Sequence, residues 1–231
     1  MRQGRALGAR SAAFGTAIAV AALLRRRYLR WGATDDEVSL ALPGDELVPR
    51  PDMTATRGVT IRATADSVWP WIAQLGQGRG GFYSYDFLEN LVGCEIHSAD
   101  RIVPEYQRVE IGAQVKLAPE VALTVALVEP QCALVLRGGI PMGPMPAPYD
   151  FTWAFVLRAG PGGSTRLVVR ERYGYLRRWA PLVVEPAELI SFVMSQRMLR
   201  SIRSRAERAV LSTPSNRGEF DLGDARPGDI R

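Results

Sequence analysis

The chain has 231 residues, with 29 basic and 24 acidic side chains and a formal net charge of +5. The positive excess lies in residues 1–30, which contain seven Arg and no acidic residue, so the remainder carries 22 basic and 24 acidic side chains. Because that remainder has no positive excess to attract a phosphate backbone, the composition argues against nucleic-acid binding.

The cysteine and histidine content argues against metal chemistry. The chain has one His and two Cys, Cys94 and Cys132, at a spacing that matches no metal or redox motif. We therefore expect no metal and no cofactor. The two Cys are interpreted as buried thiols in a reducing cytosol, which predicts a cytoplasmic protein.

Residues 1–30 are expected to form a basic and apolar N-terminal segment. An uncharged run over 11–24 lies between Arg10 and Arg25. As a helix it would span about 21 Å, whereas the hydrocarbon of a bilayer is roughly 30 Å thick. Three interpretations remain open: a helix that anchors in or lies on a membrane, a disordered or locally helical arm, and a cleaved signal peptide.

Residues 31–53 are rich in Pro, Gly and acidic residues without a sustained period, which predicts an extended connector. A helix-grip domain over 54–211 is expected to follow. Its first strand is predicted over 54–63 from alternating residues, and a short helix follows behind an N-cap at Asp66.

Gly76, Gly78 and Gly81 match the G-x-G-x-x-G spacing of a dinucleotide-binding loop. That loop follows a strand in nucleotide-binding proteins, whereas the segment before Gly76 is predicted to be helical. We therefore interpret the glycines as a flexible hinge, and we predict a second short helix over 85–92.

The middle of the chain predicts antiparallel strands joined by turns. These strands are expected over 109–117, 121–128, 131–137, 150–158 and 164–173. The last two form the clearest hairpin. In the final strand, Leu167, Val169, Glu171 and Tyr173 are expected on one face, and Arg166, Arg170 and Arg172 on the other. The Pro- and Met-rich loop over 138–149 is interpreted either as a cover for a pocket mouth or as an irregular linker.

One long helix is predicted over Pro186 to Leu211, with Pro186 in its first turn. Its apolar stripe repeats at helical spacing, with Ser195 filling a gap. The stripe consists of Phe192, Leu199, Ile202, Ala206 and Ala209. Residues 212–231 are polar and aperiodic, which predicts a disordered tail.

This order of elements resembles the helix-grip fold of the START-like, SRPBCC superfamily, in particular bacterial polyketide cyclase/dehydrase and lipid-transport-like proteins. The resemblance covers roughly residues 29–210 and is most specific from Trp69-Pro70-Trp71 to Tyr85-Asp86. It implies an α+β fold in which a curved antiparallel sheet of six to seven strands wraps around the long C-terminal helix. Two short helices follow the first strand. We count about six strands, so a seventh is expected within 99–107 or 138–149.

The resemblance also implies a cavity between sheet and helix that takes apolar ligands, and in some relatives catalyses cyclisation or dehydration. We therefore expect binding or transport of a lipid- or polyketide-like molecule, with a cyclase- or dehydratase-like enzyme as the alternative. The expected ligand-binding residues are Trp71, Tyr83, Tyr85, Phe151, Trp153, Phe155, Phe192 and Leu199. The competing interpretation is that the aromatic residues simply fill the core.

No catalytic motif of the superfamily can be carried onto this chain. The weak catalytic candidates are His97 and Asp100, which could form an oriented general base if a turn brings them together. The alternative is that Asp86, His97, Asp100 and Arg101 form a structural network that holds the short helices against the sheet.

Overall fold

The computed structural model describes residue 16 and residues 19–91 and 93–212. Residues 19–29 are helical (α1). The remaining helices are α2 (Asp35–Ser39), α3 (Ala65–Ala73), α4 (Asp86–Leu91) and α5 (Pro181–Ser212). The strands are β1 (Met53–Ile61), β2 (Gln114–Ala118), β3 (Val121–Glu129), β4 (Ala133–Gly138), β5 (Tyr149–Ala159) and β6 (Thr165–Tyr175). Single 3₁₀ turns occupy Asp45–Leu47, Pro104–Tyr106 and Pro161–Gly163.

The six strands form one antiparallel sheet in the order β1-β6-β5-β4-β3-β2. The sheet is curved, and α5 packs against β1 and against α3. This arrangement confirms the predicted helix-grip fold. No seventh strand is present among the described residues: Pro104–Tyr106 is a 3₁₀ turn, and Met142 and Met145 form only an isolated bridge.

The hairpin of β5 and β6 has the predicted alternation. Leu167, Val169, Glu171 and Tyr173 face α5, and Leu167 and Val169 belong to the main core. Val168 belongs to a smaller cluster on the opposite face, together with Leu42 and Val135. Because successive residues of a strand point to opposite faces, the arginines of β6 lie on this outer face.

The prediction that 31–53 is an extended connector is wrong locally, because the segment contains α2 and a 3₁₀ turn. Thr34 and Glu37 form a capping box that starts α2. Glu37 is then held by Arg166, whose Nε lies 2.7 Å from Glu37 Oε1. Arg170, 2% exposed, donates to Asp45 Oδ2 at 2.6 Å and to the Leu40 carbonyl at 2.8 Å. The segment therefore covers the outer face of the sheet.

Helix α5 begins at Pro181, five residues before the predicted start at Pro186. Pro186 lies inside the helix, where its missing N–H leaves the Leu182 carbonyl without an intrahelical donor. Leu182 is largely exposed, which allows water to satisfy that carbonyl. Leu199, Ile202 and Ala206 of the predicted stripe are fully buried, whereas Phe192 is half-buried and Ala209 is exposed.

The glycine triplet closes a tight turn rather than a hinge. Gly76 and Gly81 form an isolated bridge, and both have positive φ angles. A Cβ on Gly81 would lie 2.9 Å from Ser98 Cα, so this turn packs directly against the 97–98 backbone. The glycines are therefore explained by close backbone approach.

The N-terminal prediction lies only partly within the described residues. Leu29 is buried in the main core, and Arg25 Nη2 lies 2.7 Å from Glu185 Oε1 of α5. Within the described ranges, none of the helices is both long and apolar enough to cross a bilayer. Most of 11–18, the predicted tail beyond Ser212 and Val92 of the second short helix lie outside the described residues.

Candidate functional site

A cavity of about 330 Å³ lies between the inner face of the sheet and α5. Its volume is in the lower part of the roughly 300–1,000 Å³ range of small-molecule sites. Most of its lining is apolar, and exposed Ile140 and Ile190 mark where it reaches the surface. The sheet contributes Leu117, Tyr149, Phe151, Trp153, Glu171 and Tyr173. Helix α5 contributes Val183, Val184, Ala187, Ile190, Ser191, Met194, Ser195 and Met198, and the segment around α4 contributes Phe82, Ser84, Glu89, Cys94 and Ile96.

Two of the predicted ligand-binding residues, Phe151 and Trp153, line this cavity. They do so because they alternate along β5 on its inner face. Phe151 also packs on Tyr173, with ring centroids 4.7 Å apart. Phe155 and Leu199 do not line it: both are fully buried in the main core, and for them the core interpretation applies.

The predicted ligand-binding residues near α3 and α4, Trp71, Tyr83 and Tyr85, also lie outside the cavity lining. Tyr83 is 1% exposed, accepts a hydrogen bond from Gln74 Nε2 at 2.9 Å and contacts Trp71 edge-to-face. Burial raises the pKa of Tyr83 to about 12. Tyr85 is exposed, and Arg197 stacks over its ring. The structure therefore places these predicted residues outside the lining of this cavity.

Phe192 is half-buried and contacts the ring of Tyr28 from α1, with the guanidinium of Arg57 5.7 Å from its centroid. Its side chain faces α1 and β1 and does not line the cavity. The reason is that Phe192 lies on a different side of α5 from Ser191 and Ser195.

The weak catalytic candidates are not in the cavity. His97 is exposed, and Asp100 is 3.0 Å from Nη2 of Arg205. Asp86 fits the alternative of a structural network, since both of its carboxylate oxygens accept hydrogen bonds from Ser98 at 2.6 Å. Asp86 and Asp100 thus hold the segment after α4 in place, while His97 has no partner of this kind among the described contacts.

A buried charged cluster forms part of the cavity wall. Arg57 of β1, 1% exposed, donates to Glu171 Oε1 of β6 at 3.1 Å and to Glu188 of α5. Burial alone would lower the pKa of Arg57, but the two carboxyl groups outweigh that effect and raise it. Arg57 therefore stays charged, in contact with both carboxyl groups.

Hydroxyl groups complete this cluster. Tyr173 donates to Glu171 Oε2 at 3.1 Å, and Ser191 donates to Glu171 at 3.2 Å. Burial and the neighbouring Glu171 raise the pKa of Glu188 to about 8, against the opposing effect of Arg57. Glu188 and Glu171 thus share the single cation of Arg57, which makes ionisation of Glu188 less favourable than in water.

A second set of polar groups lies on the α4 side and is not paired. Ser84, Glu89 and Trp153 all line the cavity, and each has a buried polar atom, Ser84 Oγ, Glu89 Oε2 and Trp153 Nε1, that completes no hydrogen bond. Glu89 is 4% exposed. Burial raises its pKa to about 7 and the charge of Asp86 adds to that rise, whereas the nearby Ser84 hydroxyl lowers the pKa, although the contact does not reach full hydrogen-bond geometry.

Of the two polar sets, only Trp153 was predicted as a ligand-binding residue, although the sequence contains a signal for the first set. Arg57 occupies an inward position of the β1 alternation beside Val59, and Glu171 does the same between Val169 and Tyr173. The signal is a charged residue at a strand position where the alternation otherwise places apolar residues. For Glu89, no pattern in the sequence indicated burial. The interpretation of both Cys as buried is also wrong in part: Cys94 lines the cavity, but Cys132 is exposed.

The raised pKa of Glu89 predicts a pH-dependent effect on stability. The folded state binds this proton more tightly than the unfolded state, so its contribution falls as the pH rises from about 4.5 to 7. One pKa unit corresponds to about 1.4 kcal/mol, so Glu89→Gln should raise the free energy of unfolding by on the order of 3 kcal/mol at pH 8. At pH 4.5 the two proteins should be equal in urea denaturation. An equal difference at both pH values would contradict this account.

No family model and no curated protein matches the chain. Among solved structures, norcoclaurine synthase from Thalictrum flavum is similar at 13% identity, with 75% of this chain and 95% of that chain covered and a TM-score of 0.42. Protein MLL2253 from Mesorhizobium loti is similar at 14% identity, with 68% and 98% covered and a TM-score of 0.42. CalU16 from Micromonospora echinospora has 15% identity, 68% and 86% coverage and a TM-score of 0.33. Likenesses of this size do not assign a function, so the site is interpreted from its own geometry.

The fold and the cavity together define a helix-grip protein with an apolar site between its sheet and its C-terminal helix. Among the described residues, no group of three His, Cys, Asp or Glu is placed to hold a metal ion.

Proposed function

We propose that this protein binds or transports an apolar small molecule, lipid- or polyketide-like, as a member of the START-like SRPBCC superfamily. The observation that carries the proposal is the cavity of about 330 Å³ with its mostly apolar lining. Moving an apolar ligand from water onto Phe151, Trp153 and Met198 is favourable in proportion to the apolar area buried.

Binding is tested with the full chain and the neutral fluorescent probe N-phenyl-1-naphthylamine. We expect one probe per chain and a rise in its fluorescence. Ala187 lines the cavity at an exposed position of α5, so Ala187→Trp should fill the mouth and weaken binding at least tenfold. Ala209→Trp makes the same change on the same helix outside this cavity and should leave binding within twofold. Equal binding to both variants would contradict the proposal.

One observation favours the alternative, a cyclase- or dehydratase-like enzyme. The carboxyl of Glu171 and the hydroxyl of Tyr173 lie on the cavity wall, beside a Glu188 whose raised pKa keeps a proton available. Such a set could donate and accept protons at a bound substrate. A ligand that is recovered from the complex with an altered mass after incubation would favour this enzyme over a carrier.

We also propose that the N-terminal segment attaches the protein to a membrane surface. Val20, Leu23 and Leu24 of α1 are exposed apolar residues beside a run of Arg. Replacing all three with Gln should move the protein from the membrane pellet to the supernatant without changing its melting temperature. Arg25 and Leu29, which contact the domain, remain in this variant. A wild-type protein that stays in the supernatant would contradict membrane attachment.

A further inference from the structure

The polar groups of the cavity wall fall into two sets that differ in hydrogen bonding. In the first set, Glu171 accepts from Arg57, Tyr173 and Ser191, so its oxygens are already occupied. In the second set, Ser84 Oγ, Glu89 Oε2 and Trp153 Nε1 complete no hydrogen bond within the described part of the protein. A ligand therefore gains hydrogen bonds at the second set without breaking any within the protein.

The polar atoms of the second set are energetically unfavourable when no ligand is bound. A buried polar atom without a hydrogen bond loses its solvation and gains nothing in return. Glu89 is more than nine-tenths buried, lines the cavity, and has one oxygen that completes no hydrogen bond. A ligand group that donates a hydrogen bond to Glu89 removes this cost, and a hydroxyl can also accept from Trp153 or Ser84, whereas a protonated amine only donates.

The charges around the cavity determine which polar groups can enter. The ionisable residues of the lining are Glu89, Cys94, Tyr149, Glu171 and Tyr173, and none of the described lining residues is basic. Arg57 lies behind the wall in contact with Glu171 and Glu188. Asp86 on α4 adds a further negative charge near Glu89. An anionic ligand would therefore be buried without a counter-charge, which is strongly unfavourable.

We infer that the ligand is an apolar molecule that carries a hydrogen-bond donor, an alcohol or an amine, placed against Glu89, and that carboxylates are excluded. This inference rests on the proposed binding function and specifies the chemistry of the same site. The apolar part of the ligand lies along Phe151 and Trp153, and its polar end meets Glu89 and Ser84.

The test uses four probes of similar chain length: decan-1-ol, decylamine, methyl nonyl ether and decanoate. Each displaces N-phenyl-1-naphthylamine from the full chain at pH 7.5, below its critical micelle concentration. We expect the alcohol and the amine to bind at least tenfold more tightly than the ether and decanoate. If decanoate or the ether binds as tightly as the alcohol, the inference is wrong while the binding function stands. If neither the fluorescent probe nor any of the four binds, the binding function itself fails.

A substitution separates the alcohol from the amine. Glu89→Gln keeps the size of the side chain and an acceptor oxygen but removes its ionisation. It should weaken decylamine at least fivefold, leave decan-1-ol within about twofold and strengthen decanoate. Glu105→Gln, at an exposed position outside the cavity, should change none of these affinities. Unchanged relative affinities in Glu89→Gln would overturn the role of Glu89, and the wild-type series tests the exclusion of carboxylates independently of the variant.

Discussion

Arg57→Met is expected to lower the free energy of unfolding by on the order of 3–5 kcal/mol at pH 7, because it leaves buried carboxyl groups without their cation. Glu171 and Glu188 would then face each other at 2% and 1% exposure. The measurement is urea denaturation followed by circular dichroism. Removing the cation takes away the group that lowers the pKa of Glu188 in the folded state, so the loss of stability should shrink as the pH is lowered.

Two comparisons make this result specific to the buried cluster. Adding Glu171→Gln and Glu188→Gln to Arg57→Met removes the unpaired charges and should recover a large part of the loss. Arg108→Met breaks an ion pair with Glu110 whose side chains are 86% and 62% exposed, and such pairs contribute about 0–1 kcal/mol. A loss from Arg57→Met no larger than that from Arg108→Met would contradict the buried network.

Ile202→Asp is expected to unfold the domain, with a loss above about 4 kcal/mol, because a carboxylate would be buried without a partner. Ile202 is fully buried on the face of α5 that packs in the main core. Thermal unfolding should show no cooperative transition at room temperature or above.

Val193→Asp is the matched control for this substitution. Val193 lies on the same helix, is 44% exposed and does not line the cavity. The change should cost less than about 1 kcal/mol, as is usual for surface positions. If Ile202→Asp melts like Val193→Asp, α5 is not the element around which the sheet is packed.

The fold was predictable from the sequence where its periodicity was strong. The β5–β6 hairpin was expected within two residues of its observed bounds, because alternating residues fix both the strands and their faces. Strand β2 was expected from Val109 but begins at Gln114. The turn at Gly112, with φ of 86°, separates the two segments, and a glycine inside a strand pattern already indicates such a break.

The site was only partly predictable, because its polar residues are brought together by pairings that sequence spacing does not show. Arg57 reaches Glu171 because β1 pairs with β6, with Ala55 opposite Glu171. Glu188 joins them from α5, and its position depends on how that helix crosses the sheet. Tyr83 and Phe155 are aromatic, as ligand-binding residues often are, but both are buried in the core. Residue type alone does not separate the two cases, because burial depends on the tertiary arrangement.

The central claim, that the space between the sheet and α5 is a ligand site, is tested most directly by a crystal structure of the full chain with decan-1-ol. We predict density for the alkyl chain beside Phe151 and Trp153, with the hydroxyl within hydrogen-bond distance of Glu89. Density for the alcohol only at the outer surface, with the cavity unoccupied at saturating alcohol, would contradict the claim.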